Sequence, residues 1–273
     1  MKQILLLVLL IYCLEVNGQN NDKPFALGTV KEIQSSQLSE KRILNIYLPE
    51  GYKENDTIKY PVIYLLDGSA DEDFIHICGI VQFFNMMDMM PKSIVVGIAN
   101  VDRKRDFTYP TTIEKDKKAY PTTGSSEKFI AFIEQELEPF IEKKYRTNSS
   151  KTIIGQSLGG LVAVEILFKK PSLFNTYIIV SPSLWWDNES LLLKSPEVLN
   201  PSFNQRTTVY IAAGNEGDIM VGDAKHLVKI LKKDERKNLN VIYNYLPDED
   251  HATILHQAVY RAFEMLNKKI KKE

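Results

Sequence analysis

The stretch that decides the fold is Lys151-Thr152-Ile153-Ile154-Gly155-Gln156-Ser157-Leu158-Gly159-Gly160-Leu161. Its first four residues form a short run rich in β-branched side chains, which predicts a strand, and the residues from Leu158 onward carry a helical pattern. Between them stands Gly-x-Ser-x-Gly. Glycines on both sides of a serine let a strand turn sharply into a helix with close backbone approach, so that the Ser157 hydroxyl stands clear of the sheet edge at a helix N-terminus. The bland alternative is a glycine-rich turn with a satisfied serine. The strand before and the helix after favour the first reading, because the motif carries chemistry only in that context.

Outward from this turn the chain repeats the same alternation. Strands are expected at Leu27 to Ile33, Arg42 to Leu48, Pro61 to Leu66, Ser93 to Ala99, Lys151 to Ile154, Thr176 to Val180, Thr207 to Ala213 and Asn240 to Leu246. The middle ones are continuous apolar runs, as strands buried on both faces require. Phe129, Phe132, Ile133, Leu137, Phe140 and Ile141 form one helical stripe, with Ser125 as N-cap and Pro139 expected to end or bend it. Further helices are expected after Leu158, over Gly222 to Lys233, and from Thr253 to Lys268. Strand and helix in alternation imply an α/β fold with a mainly parallel central sheet of about eight strands flanked by helices.

A serine nucleophile needs a base, and on such a sheet the partners follow in the order serine, acid, histidine from the ends of later strands. The last expected strand runs into Pro247-Asp248-Glu249-Asp250-His251, which makes His251 the candidate base. His76, His226 and His256 read as packing or surface histidines. The strand Thr207 to Ala213 runs into Gly214-Asn215-Glu216-Gly217-Asp218. Glu216 is the preferred acid because it lies nearer the strand end; Asp218 is the alternative, and a serine-histidine pair with weak acid assistance is a third arrangement. Donors for a tetrahedral oxyanion are expected from the backbone N–H of Leu158 and from that of Gly68 or Ser69, in the loop after the strand Pro61 to Leu66.

Two further groups bear on substrate. Trp185-Trp186 could form an aromatic wall for an acyl or sugar ring, or pack beneath the loop. Arg103 and Arg105, with Lys104 between them, could meet an anionic substrate, or pair structurally with Asp102 or Asp106.

Composition bounds the partners. The chain has 273 residues, of which 44% are hydrophobic and 25% charged, ordinary values that exclude a disordered chain, a collagen-like repeat and a multi-span membrane protein. With 34 Lys+Arg against 35 Asp+Glu, the net charge is -1 and gives no pull toward nucleic acid. The apolar run Ile4 to Leu14 after Lys2 is too short to span a bilayer and ends before Val16-Asn17-Gly18; residues 1–18 therefore read as a cleaved signal peptide, with residues 19–273 as one domain. A lipoprotein site at Cys13 is the weaker reading, because bulky Tyr12 precedes it. Export places the mature chain in a periplasm or outside the cell. Only Cys78 would remain, so no intramolecular disulfide forms, and its apolar surroundings predict a buried inert thiol.

The strings Pro61 to Gly68 (PVIYLLDG), Val96 to Thr108 (VGIANVDRKRDFT), Glu136 to Ile141 (ELEPFI), Gly155 to Leu161 (GQSLGGL) and Ser181 to Asp187 (SPSLWWD) resemble the putative-esterase family of α/β-hydrolases. That family includes siderophore esterases of the enterobactin type, feruloyl and acetyl-xylan esterases, S-formylglutathione hydrolase and mycolyltransferases. The last string is similar to the siderophore-esterase branch. The resemblance implies an α/β-hydrolase fold, a Ser157–His251 centre whose acid assistance varies among members, and no metal or organic cofactor. The expectation is an exported serine carboxylesterase acting on a small-molecule ester. A siderophore trilactone or its ferric complex is the first substrate, and a feruloyl or acetyl ester on a carbohydrate the second. An acyltransferase would use the same residues; a non-catalytic binding protein would keep the fold without turnover.

Overall fold

The sheet is built around the strand that delivers Ser157. In the computed structural model, which describes residues 22–194, 205–233 and 238–267, β5 (Thr147–Gln156) lies between β3 (Tyr60–Leu65) and β6 (Thr176–Val180). The full order is β1-β2-β4-β3-β5-β6-β7-β8, with β1 (Thr29–Ser35), β2 (Glu40–Tyr47), β4 (Ile94–Ile98), β7 (Thr207–Gly214) and β8 (Leu239–Leu246) completing it. Only β2 runs against its neighbours; the pairs from β4 to β8 are all parallel. All eight expected strands are present, with ends shifted by a few residues. The proposed signal peptide, residues 1–18, lies outside the described residues.

Parallel strands bury both faces, and the period of two assigns their side chains to two cores. Val62 and Tyr64 of β3 join Ile153, Ile179 and Val209 under α4 (Ser126–Phe132), α6 (Leu158–Lys169) and α8 (Gly217–Lys233). Ile63 and Leu65 join Ile154, Ile178 and Val180 under α1 (Phe74–Met86) and α9 (Ile254–Leu266). Each fully buried side chain of this size contributes about 1.5–3 kcal/mol. Cys78 is part of the second core, where burial pushes its thiol up to about 12 and leaves it inert.

Four helices were not among those expected from the sequence: α1, and the short α2 (Arg103–Phe107), α3 (Glu114–Ala119) and α7 (Ser190–Leu193). The stripe from Phe129 to Ile141 does not stop at Pro139. A π turn over Ile133–Leu137 carries α4 into α5 (Glu138–Lys144), and Pro139 sits at the start of α5, where its missing N–H costs least. α8 starts at Gly217, earlier than Gly222, so Asp218 lies in its first turn.

The turn from β5 into α6 leaves no room for side chains. A Cβ at Gly155 would stand 2.5 Å from the Gly159 carbonyl oxygen, and one at Gly160 would stand 2.9 Å from Pro182 Cα. Ser157 itself adopts φ 58, ψ -119, a conformation that residues other than glycine rarely take. Gly155→Ala is accordingly expected to destabilise the protein by about 1–3 kcal/mol through overpacking against backbone. Gly79, in the middle of α1, has nothing within 4 Å of a built Cβ; Gly79→Ala should stabilise by about 0.5–1 kcal/mol. Urea unfolding of both variants checks the pair, and equal midpoints would contradict the steric account.

Candidate active site

Ser157, Glu216 and His251 come from three different strand ends and meet above the sheet. Ser157 is half-in at the start of α6, and the N–H of Leu158, the first helical residue, has no acceptor within the helix. Glu216 follows β7 by two residues, and its side chain is 2% exposed. His251 follows β8 on an open loop, 48% exposed, with Nδ1 2.5 Å from Glu216 Oε2. An Nδ1–H donating to that carboxylate leaves Nε2 as the free lone pair, the tautomer a general base requires.

The carboxylate is fixed at both oxygens. Glu216 Oε1 accepts the Gly214 N–H at 2.9 Å and the hydroxyl of Ser181. Burial pushes its pKa up, but the hydrogen bonds from His251, Ser181 and Gly214 outweigh burial and hold it below the ordinary glutamate value. The alternative acid, Asp218, is exposed in the first turn of α8. The His251 loop is tied to the Ser157 turn directly, because Gln156 Nε2 donates to the His251 carbonyl at 2.5 Å. Ser157 Oγ lies 3.2 Å from Ser183 Oγ.

Ser157 and His251 line two cavities at once. The larger, about 610 Å³, also takes in Tyr120, Ser183, Trp185, Met220 and Glu216; the smaller, about 410 Å³, takes in Asp67, Glu72, Asp73, Arg103 and Gln156. One side is therefore aromatic and the other strongly charged, with the candidate nucleophile and base between them.

Several expected contributors stand elsewhere. The Gly68 N–H donates to the Ile98 carbonyl at 3.0 Å, so it cannot serve an oxyanion; glycine is needed there because a Cβ would meet Gly97 Cα at 2.4 Å. The Ser69 N–H faces Glu72 at 3.4 Å, and Asp67, not Gly68 or Ser69, lines the cavity beside Ser157. Trp186 is fully buried, its indole N–H donating to the Tyr109 carbonyl at 3.0 Å, so it is packing and not a wall. Trp185 does reach the cavity, and its partner there is Tyr120, with ring centroids 6.2 Å apart. Tyr120 escaped sequence reasoning because a single aromatic before a Pro-Thr-Thr-Gly turn carries no periodic signal.

Arg105 is withdrawn from the site: it bonds Glu40 at 2.6 Å and Asp106 at 2.8 Å, while Asp106 also bonds the buried Arg42 at 2.6 Å. Arg103 lines the smaller cavity, yet its partner is neither Asp102 nor Asp106. It grips both oxygens of Asp67, Nε to Oδ1 at 2.6 Å and Nη2 to Oδ2 at 2.9 Å. Such a fork leaves little of the guanidinium for an incoming anion. Of the other histidines, His76 and His256 stack on each other at 3.8 Å between α1 and α9, and His226 is exposed on α8. Among the described residues, no group of three or more His, Cys, Asp or Glu is placed to hold a metal ion, and no helix is long and apolar enough to cross a membrane.

Known proteins share this fold. Residues 35–261 match the protein family described as "Putative esterase". The ferri-bacillibactin esterase BesA of Bacillus subtilis is 30% identical over 269 aligned residues, covering 90% of this chain and 92% of that protein. An IroE-like serine hydrolase from Shewanella oneidensis superimposes with a TM-score of 0.80 at 32% identity, over 88% of this chain and 80% of its own. The BES protein from Bacillus cereus does so with a TM-score of 0.80 at 26% identity, over 92% and 100%.

The charged cavity yields a pH test. Burial, then the neighbouring Asp67 and Glu72, push the Asp73 carboxyl up to about 6. A folded value above the ordinary 3.8 means that the folded state holds this proton more tightly, so the group's contribution is fully present below about pH 4 and is lost as pH rises through 6. Asp73→Asn removes the titration. Its melting temperature is expected to match that of the parent near pH 4 and to exceed it at pH 8; the opposite order in a thermal scan would contradict the assignment.

Proposed function

The chain belongs to the esterase family matched by its residues 35–261, and from that membership we propose that it hydrolyses its esters through a serine centre formed by Ser157, His251 and Glu216. That it is a carboxylic ester hydrolase akin to siderophore esterases follows from the family and from relatives aligned over most of their length. The observation that carries the serine mechanism is the bond between Glu216 Oε2 and His251 Nδ1 beside a serine held at a strained strand-to-helix turn.

In the proposed reaction, Ser157 Oγ attacks the ester carbonyl while His251 Nε2 takes its proton, and the buried Glu216 carboxylate holds the imidazole tautomer and stabilises the imidazolium. The Leu158 N–H, at the positive end of α6, donates to the oxyanion. Collapse expels the alcohol, which takes the proton from His251 and leaves an acyl-enzyme. Water, deprotonated by the same imidazole, then releases the acid and restores Ser157.

The substrate we propose is the ester of a catecholate siderophore. Its aromatic acyl arms suit the cavity bounded by Tyr120 and Trp185. The smaller cavity, with Asp67, Glu72 and Asp73 around one already paired arginine, favours an uncharged lactone edge there over an anionic group. A feruloyl ester on a carbohydrate is the second reading, since the same aromatic pair would take a ferulate ring. We also propose that the protein is exported, to a periplasm or outside the cell, supported by the Lys2, Ile4 to Leu14 and Val16-Asn17-Gly18 pattern.

A fluorophosphonate probe is expected to label the protein at Ser157, and Ser157→Ala should abolish both labelling and turnover of an aryl acetate, with His251→Ala lowering turnover by several orders of magnitude. Peptide mapping of the labelled protein reads the position. Against a catecholate trilactone, Trp185→Ala should raise KM about tenfold while leaving the aryl acetate nearly unchanged. Turnover of feruloylated oligosaccharide far above that of the trilactone would replace the siderophore reading with the second.

A further inference from the structure

The tripeptide Ser181-Pro182-Ser183 leaves the end of β6 and touches both ends of the centre described above. Ser181 is fully buried and sits at φ 42, in the left-handed region. Its N–H donates to the Ala212 carbonyl of β7 at 2.8 Å, and its hydroxyl reaches Glu216 Oε1. Ser183 is 2% exposed; its N–H donates to the Ser157 carbonyl at 3.0 Å, and its hydroxyl lies 3.2 Å from Ser157 Oγ. Pro182 between them packs against α6 at Gly160.

We propose that this turn positions the relay at both ends, Ser181 by fixing the Glu216 carboxylate and Ser183 by orienting the Ser157 hydroxyl. The inference rests on the reading of Ser157, His251 and Glu216 as the reactive centre. An ionised carboxylate accepts only, so the buried Ser181 hydroxyl donates to it. With Oε1 held by Ser181 and Gly214, rotation of the carboxylate is blocked and Oε2 stays in line with the imidazole Nδ1. Without the Ser181 hydroxyl, the Gly214 N–H alone holds Oε1. At the other end, a Ser183 hydroxyl donating to Ser157 Oγ occupies one of its lone pairs. The Ser157 hydrogen is then free to point to His251 Nε2. Neither serine forms or loses a covalent bond in the proposed reaction. Both act through a neighbour and are positioning residues.

A double-mutant cycle tests this with a neutral aryl acetate, for which KM and kcat are read separately. Ser181→Ala is expected to lower kcat by about tenfold or more with KM changed less than about twofold. Ser181→Gly, which accepts the left-handed backbone without strain, is expected to lose as much. In a Glu216→Ala background, Ser181→Ala should add less than about twofold, whereas Ser183→Ala should still lower kcat there by about three- to tenfold, because its effect passes through Ser157. Equal losses from Ser181→Ala with and without Glu216, wild-type kcat in Ser181→Gly, or wild-type kcat in Ser183→Ala would each overturn the proposal. Failure of the underlying reading shows separately, as turnover retained in Ser157→Ala or kcat unchanged in Glu216→Ala alone.

Discussion

The site depends on one steric constraint: α6 must begin within a residue of the end of β5, so atoms larger than hydrogen have no place at the close approaches. Gly155 lies against the Gly159 carbonyl, and Gly160 against Pro182. With those contacts tighter than van der Waals separation allows for a side chain, the turn keeps functional groups at Gln156 and Ser157 alone, and the Ser157 backbone is forced to positive φ. The strain is local and is offset by the two hydrophobic cores that clamp β5 from either side. A second close approach, Gly68 on Gly97, sets the β3 loop beside β4 and thereby delivers Asp67 to the neighbourhood of Ser157.

Much of this was legible in the chain. Continuous apolar β-branched runs marked the middle strands, which are buried on both faces, whereas the edge strands β1 and β8 are more exposed and showed only as β-rich runs. The order Ser157, Glu216, His251 was legible too, since each follows a strand end. What the sequence hid were consequences of pairing across distance. Arg103 and Asp67 are 36 residues apart, and nothing local marks them as partners. Near neighbours in the chain split in the same way: Trp185 faces the larger cavity while Trp186 is buried, and Arg103 faces the smaller one while Arg105 turns to Glu40. The short helices α2 and α3 have charged sequences without an apolar stripe, so periodicity had nothing to detect. The Gly68 N–H was unavailable for a reason only the sheet supplies, the carbonyl of Ile98 opposite it.

The two cavities divide the electrostatics. On the aromatic side Asn215, Asp250 and Ser183 join the polar groups of the centre, and a ring entering there displaces water from the apolar surface of Tyr120, Trp185 and Met220. On the other side, Asp67 and Arg103 neutralise each other, while Asn100 bonds both Asp67 and Glu72 and holds the acidic group in place. The charge left over there is negative. In the proposed mechanism, a leaving alkoxide on that side meets negative charge, which makes the proton on His251 the decisive element for its departure.

The bond from Gln156 to the His251 carbonyl joins residues 95 positions apart. A chain synthesised from its N-terminus forms the serine turn well before β8 exists to bring the histidine. Until β8 docks on β7, Ser157 has neither the proposed base nor the loop that Gln156 ties to its turn. In the proposed mechanism, reactivity is thus a property of the last stage of folding, and a chain that ends before β8 carries an ordinary, unactivated alcohol.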